Sequence, residues 1–156
     1  MKQAPIPSAS RTSRSNRTRT KTALTGLLLL ALTACGGPEY DPVPEEKLSA
    51  EIKALPGVTN EKLDSYDSAS QGTGYQSDIY INDQADPVMV LDQATAILWQ
   101  GLPEARINVS VIEKDGREIR TSDVGLIVSD DFEARYGPQP GSGEPPTDKP
   151  SLELKR

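Results

Sequence analysis

The stretch DPVMVLDQATAILWQG, residues 86–101, specifies the best-defined element of the chain. Asp86 is a residue type that caps helix amino termini, Pro87 suits the first helical position, and Gly101 is typical of a helix end. A helical wheel of the intervening residues predicts one broad buried face with Val88, Leu91, Ala94, Thr95, Leu98 and Trp99. The opposite face is predicted to point away from the core and carries Gln93, Ala96 and Gln100.

Upstream of this helix, the sequence predicts a shorter helix and two strands. Residues 45–55 have helical periodicity, and Pro56-Gly57 ends this helix. The apolar side chains at helical spacing are Leu48, Ile52 and Leu55. Residues 76–82 alternate apolar and polar side chains as a half-buried strand does, and residues 58–66 are a weaker strand candidate. A loop containing Gly72-Thr73-Gly74 is predicted to join the two strands.

Downstream of the helix, two further strands are predicted. Residues 106–112 alternate again, and Asp115-Gly116 indicates a hairpin that returns the chain through residues 117–121. The order helix, strand, strand, helix, strand, strand predicts a two-layer α+β sandwich, with two helices on one face of a four-stranded, mostly antiparallel sheet. This arrangement is similar to a ferredoxin-like fold, in the usual or a permuted order, and four short strands can be connected in several ways.

The carboxyl-terminal part of the chain has a different composition. Asp130 and Glu133 have the spacing of a capping box, which predicts a short last helix over residues 130–136. Residues 137–156 contain five prolines and three glycines, which predicts a flexible, disordered tail. The folded part is therefore expected to be one small domain, residues 45–136.

The first 34 residues have the three-part pattern of a secretory signal peptide. Residues 1–22 contain six basic residues and no acidic one, and residues 23–34 are largely apolar around four consecutive leucines. This apolar run is shorter than the roughly 20 residues that a membrane-spanning helix needs. It ends in Leu32-Thr33-Ala34-Cys35, which resembles the lipobox of bacterial lipoproteins.

The lipobox resemblance implies cleavage between Ala34 and Cys35 and a diacylglyceryl group on Cys35. The mature protein is then expected on the extracytoplasmic side of the cell membrane, anchored by this lipid, with residues 35–44 as a tether. The alternative is a secreted protein in which the single cysteine stays free or pairs with another molecule.

Removal of residues 1–34 changes the charge of the chain. The sequence has 17 basic and 23 acidic residues, and six of the basic ones precede Cys35. The mature chain therefore keeps 11 basic residues and has a net charge of about −12. Nucleic acid is excluded as a partner on this ground, because neutralising phosphates requires clustered Lys and Arg.

Groups suited to catalysis or metal binding are scarce in the mature chain. The sequence has no histidine, which excludes Ser–His catalysis and the common zinc sites. Ser49 and Lys53 lie one helical turn apart, and an exposed helix face explains them. Asp64, Asp67 and Asp78 offer the oxygen ligands that Ca²⁺ prefers, but without the spacing of a calcium loop. We expect no catalytic residue, no metal and no cofactor.

The aromatic residues and one sequon are further candidates for a binding surface. Trp99 is predicted to anchor the core. Tyr66, Tyr75 and Tyr80 cluster around the first predicted hairpin, where an outward-facing Tyr80 would contribute to a surface; exposed tyrosines are also ordinary on sheet faces. Asn108 begins a glycosylation sequon, but it lies in a predicted strand and the bacterial interpretation argues against its modification.

Two classes of function are compatible with these features. Leu55-Pro56-Gly57-Val58, between a helix and a strand, resembles the BON domain of envelope proteins over these four residues and the element order. The favoured hypothesis is a non-enzymatic binding or accessory module at the cell envelope, with a protein or peptide partner. The alternative is a small carboxylate-dependent envelope hydrolase. It would use acidic clusters that include Asp83, Asp86, Asp130, Asp131 and Glu133.

Overall fold

The structure, a computed structural model, describes residues 41–70 and 72–155. The predicted signal peptide, the cleavage site after Ala34 and the lipid attachment site Cys35 lie outside the described residues. The elements in chain order are helix α1 (Glu45–Lys53), strands β1 (Val58–Ser68) and β2 (Gly72–Ile81), helix α2 (Pro87–Leu98), strands β3 (Arg106–Ile112) and β4 (Glu118–Arg120), a 3₁₀ helix (Thr121–Val124) and helix α3 (Ser129–Tyr136).

The four strands form one mixed sheet in the order β1-β2-β3-β4. The outer pairs β1–β2 and β3–β4 are antiparallel, and the central pair β2–β3, joined through α2, is parallel. The predicted α+β two-layer fold with a mostly antiparallel sheet is confirmed. The connections differ from a ferredoxin-like arrangement, because β2 and β3 are direct neighbours, whereas its split β-α-β unit places another strand between the two.

The core lies between one face of this sheet and the helices α1 and α2. The rows of side chains on that face are Tyr75–Ile107, Ser77–Val109 and Ile79–Val111–Ile119. Leu48 and Ile52 of α1 and most of α2 pack onto them. The other face of the sheet carries the alternate, mostly polar residues; we call it the open face. One buried and one solvated face is the usual arrangement of a two-layer fold.

Helix α2 begins as the sequence predicts. The Asp86 carboxylate accepts hydrogen bonds from the backbone N–H of Val88 (2.9 Å) and of Met89 (3.1 Å), and Pro87 is the first helical residue. An N-cap of this kind stabilises a helix by about 1 kcal/mol. The amino end of helix α2 is therefore set by the side chain of Asp86.

The expected exposed face of α2 is wrong at Ala96, which is only 1% exposed. Asp92, Ala96 and Trp99 share one stripe of the helix, since they are four and three residues apart. Arg135 of α3 binds Asp92, and the backbone after α3 binds Trp99, so this stripe is covered from outside. The helical wheel predicted this face wrongly because α3 and the residues after it pack onto the outer side of α2.

Residues 137–155, which the composition predicts as a disordered tail, lie against the domain in the structure. The indole N–H of Trp99 donates to the Gly137 carbonyl at 2.8 Å, and the Gly141 N–H donates to the Trp99 carbonyl at 3.2 Å. Further on, the Lys155 N–H donates to the Asp123 carbonyl at 2.7 Å. The segment is held by these bonds and by further hydrogen bonds between side chains and backbone groups, with Leu152 packed at the core margin.

A buried ion pair connects α3 and this segment to α2. The Asp92 and Arg135 side chains are 11% and 10% exposed, and the guanidinium donates to both carboxylate oxygens, with Nε at 2.8 Å from Oδ1. The Tyr136 hydroxyl also donates to Asp92 Oδ1, at 2.7 Å. Burial and the Asp92 charge raise the pKa of Tyr136 well above its ordinary value. Arg135 Nη1 reaches the Pro150 carbonyl at 3.0 Å and so binds the last segment too.

Replacing Asp92 with Ala should lower the free energy of unfolding by about 3–5 kcal/mol, because it leaves the Arg135 charge buried without its partner. The matched control is Asp83→Ala. It breaks an exposed pair with Lys114 (3.2 Å, both side chains at least 70% exposed), and such pairs contribute about 0–1 kcal/mol. Urea denaturation of the full-length variants measures both changes, and equal effects at the two positions would contradict this role of Asp92.

Candidate functional site

A cleft of about 1180 Å³ lies on the open face of the sheet. Its floor is formed by neighbouring strands, at Asp64 and Tyr66 of β1, Gln76 of β2, and Arg106 and Asn108 of β3. In the sheet register Asp64 is paired with Gln76 and Gln76 with Asn108, so these three form one row across the floor.

The cleft exists because β4 is short. It pairs only with Ser110–Ile112, so Arg106–Val109 has a strand partner on the β2 side alone among the described residues. After Arg120 the chain leaves the sheet through the 3₁₀ helix, and Gly125 takes a left-handed conformation (φ 84°) that suits glycine. Residues 127–129 and Phe132 then line the cleft beside the residues of β3 and form its wall.

This wall is apolar and is held in place by one carboxylate. Ile127 and Val128 are 70% and 57% exposed, which is unusual for side chains of this kind. Asp131 Oδ2 accepts the backbone N–H of both, each at 2.9 Å. Phe132 stands behind them, stacked on Trp99 with ring centroids 5.8 Å apart. The cap of α3 is therefore Asp131, and the predicted capping pair of Asp130 and Glu133 is wrong.

The two backbone hydrogen bonds lower the pKa of the Asp131 carboxyl group below its ordinary value. Because the pKa of Asp131 is lower in the folded state than in the unfolded chain, its ionised carboxylate stabilises the folded state. This stabilisation is fully present above the ordinary aspartate pKa of about 4 and is lost as the pH falls through the pKa of Asp131 in the folded state. The apolar wall thus stays capped throughout the neutral range.

Gly74 makes room for an aromatic ring in the floor of the cleft. It is paired with Tyr66 across β1 and β2, and a Cβ atom at position 74 would overlap the tyrosine ring and lie 2.7 Å from the Arg106 carbonyl oxygen. The predicted loop at Gly72–Gly74 is wrong, because these residues open β2. A glycine within a strand marks the close approach of another group, which here is Tyr66.

The charges in the cleft are mixed and unpaired. Arg106 and Asp64 are both exposed, and neither has an ion pair or side-chain hydrogen bond with another residue in the described ranges. Gln76 and Asn108 add amide donors and acceptors between them. A polar floor beside an apolar wall suits a ligand with polar groups on one side and apolar groups on the other.

The Ser49 and Lys53 pair converges on a buried carboxylate. The Ser49 hydroxyl donates to Glu61 Oε2 at 2.9 Å, and Lys53 Nζ lies 3.5 Å from the same atom. Glu61 is 5% exposed, and its other oxygen has no partner among the described residues. The spacing of Ser49 and Lys53 along the helix did not reveal this interaction, because their common partner Glu61 lies in β1. The arrangement joins α1 to the sheet.

The acidic candidates are not gathered into one site. By strand alternation Asp64 and Asp78 lie on the open face, whereas Asp67 lies on the other side of β1, where it accepts the Thr73 hydroxyl at 3.3 Å. No group of three or more Cys, Asp or Glu side chains in the described ranges is placed to hold a metal ion. Asp83 pairs with Lys114, and Asp86 caps α2.

The three tyrosines have different environments. Tyr75 is 2% exposed in the core, where burial raises its pKa and its hydroxyl accepts the Leu102 N–H at 3.0 Å. Tyr66 and Tyr80 both lie on the open face, at opposite ends of the sheet. Only Tyr66 lines the cleft, together with Asn108, the first residue of the sequon.

Comparisons of the chain with protein-family models, with curated proteins and with solved structures found no match. None of the helices within residues 41–70 and 72–155 has the length and apolar character needed to cross a membrane.

Gly74→Ala should destabilise the domain by about 1–3 kcal/mol, because the added methyl group overlaps the Tyr66 ring. In the double variant Gly74→Ala with Tyr66→Ala, the added cost of the alanine should fall, since the ring is gone. A double-mutant cycle by urea denaturation measures this coupling. Additive effects of the two substitutions would show that the ring does not rest on Gly74.

Proposed function

We propose that the mature chain is a lipid-anchored, non-enzymatic binding module at the extracytoplasmic side of a bacterial cell membrane. In this proposal Cys35 carries the lipid, and the cleft binds an extended polypeptide segment of an envelope protein. The anchor is supported by Leu32-Thr33-Ala34-Cys35 after a short apolar run with a basic flank. The observation that carries the binding role is the start of β3, which has no second strand partner among the described residues and lies beside an exposed apolar wall.

The backbone of β3 supports an extended polypeptide as the ligand. The Glu113 N–H donates to the Arg117 carbonyl at 2.9 Å across the β3–β4 hairpin. Backbone groups alternate in direction along a strand, so Val111, Val109 and Ile107 direct theirs to the same side as Glu113. Ile107 lies beyond the last β3–β4 pair, Ser110 with Arg120. An added strand would bind there by backbone hydrogen bonds, a common mode of peptide recognition.

The side chains of the cleft indicate the composition of such a segment. Alternate residues of an added strand would face the apolar wall at Ile127 and Val128 and the polar floor at Arg106 and Asn108. An acidic residue on the floor side would pair with Arg106, whose charge has no partner among the described residues. The favoured ligand is thus an extended segment of alternating apolar and polar residues with an acidic group.

The anchor is tested by Cys35→Ser. This variant should remain as a precursor, incorporate no labelled fatty acid and leave the membrane fraction, because no thiol remains to carry the diacylglyceryl group. The measurement is metabolic labelling with palmitate, followed by mass spectrometry of the protein. A conservative control is Thr33→Ala, which keeps small residues before Cys35 and should mature normally. A Cys35→Ser protein that matures to the same mass would contradict the anchor.

The cleft is tested by a photo-crosslinking residue at Asn108 in intact cells. One discrete adduct is expected, and tryptic peptides should identify an extended segment of the partner. Ile127→Asp should abolish the adduct, because it places a charge on the apolar wall. Met89→Asp is the matched control, since Met89 is also an exposed apolar residue (50%) but lies outside the cleft. Equal crosslinking from Asp115 at the hairpin tip, or an adduct insensitive to Ile127→Asp, would contradict the proposal.

A further inference from the structure

Strand β1 presents a long edge with no strand partner among the described residues. It is the first strand in the sheet order and runs for 11 residues, Val58–Ser68, about twice the length of an average strand. The opposite edge of the sheet is blunted, because β4 has three residues and then turns away. A long unpaired edge is a template for another strand unless it is protected. The only irregularity in its pairing with β2 lies near its start, between Val58 and Asn60.

The charges on the open-face side of this edge are self-complementary. Lys62 and Asp64 are both exposed, and neither forms an ion pair with another residue of the described ranges. If two copies of β1 pair antiparallel about a two-fold axis through Leu63, each Lys62 lies opposite the Asp64 of the second copy. Two cross-strand ion pairs then form at once, and opposite charges at this position stabilise a strand pair.

The neighbouring registers are disfavoured by the same charges. A two-fold axis through position 62 places Lys62 against Lys62, and an axis through position 64 places Asp64 against Asp64, which is destabilising. A shift by a single residue would oppose residues of the open face with residues of the core face. The register about Leu63 also opposes Glu61 to Ser65 of the second copy, so the buried carboxylate meets no like charge.

We propose that the chain forms a homodimer through antiparallel pairing of β1 with β1 of a second copy, about a two-fold axis at Leu63. The paired region extends from Asn60 to Tyr66, which lie opposite each other in this register. The two sheets then form one eight-stranded sheet with both open faces on the same side. Lipid anchoring, where it holds, favours this pairing because confinement to one membrane raises the effective concentration of the two copies.

Charge exchange between Lys62 and Asp64 tests the dimer. Lys62→Asp and Asp64→Lys each replace two ion pairs with two like-charge contacts, so each should raise the dimer dissociation constant at least tenfold. The double variant restores both pairs with exchanged signs and should return the constant to within about threefold of wild type. Because the double variant carries both substitutions, its recovery also excludes misfolding as the cause of the single effects. Sedimentation equilibrium of the full-length chain in density-matched detergent measures the constants.

A wild-type chain that is monomeric at the highest accessible concentration would overturn the proposal, as would single variants that dimerise normally. A double variant that stays monomeric would overturn the register. The test of the dimer can be distinguished from the test of the cleft, because Lys62 does not line the cleft. Lys62→Asp should therefore raise the dimer dissociation constant at least tenfold and leave the Asn108 adduct unchanged. Ile127→Asp should abolish the adduct and leave the dissociation constant unchanged.

Discussion

The buried pair of Asp92 and Arg135 is the interaction on which the rest of the architecture depends. Two-layer folds leave the outer side of their helices in water, but here the stripe of α2 around Asp92 is covered by α3 and the segment after it. The pair fixes where α3 lies, and α3 fixes Phe132 and the apolar residues before it. The wall of the cleft is thus positioned by a charge pair on the far side of a helix.

Local signals were sufficient for most of the fold. Asp86 and Pro87 predict the start of α2, because helix capping involves only neighbouring residues. The alternation of apolar and polar side chains in residues 106–112 predicts that β3 has one buried face. Asp92 carries no such signal, because an acidic residue in a helix usually lies in water. Its partner Arg135 is 43 residues away, and no local pattern joins the two. The second cover on α2 was therefore missed.

The cleft was beyond prediction for a related reason. Its floor depends on Tyr66 lying over Gly74, a cross-strand contact that appears in the sequence only as a glycine-rich stretch resembling a loop. Its wall depends on Asp131 binding two backbone N–H groups, whereas the spacing of Asp130 and Glu133 indicated a different cap. The Tyr66–Gly74 contact follows from the pairing of β1 with β2, which neither segment specifies by itself. The Asp131 cap is local, and the competing spacing of Asp130 and Glu133 obscured it.

The two edges of the sheet show how strand length determines the available surfaces. A β4 strand extended by four residues would pair with Arg106–Val109 and fill the cleft, and the turn through the 3₁₀ helix and Gly125 prevents this. β1 is long, and its whole outer edge is continuous. The charges of Lys62 and Asp64 disfavour antiparallel self-pairing about positions 62 and 64 and favour self-pairing about Leu63. In the proposed function the edge at β3 binds a segment of a different protein, and in the proposed dimer the edge at β1 binds a second copy of the chain. Because Lys62 does not line the cleft, a change in its charge alters the dimer edge and leaves the cleft intact.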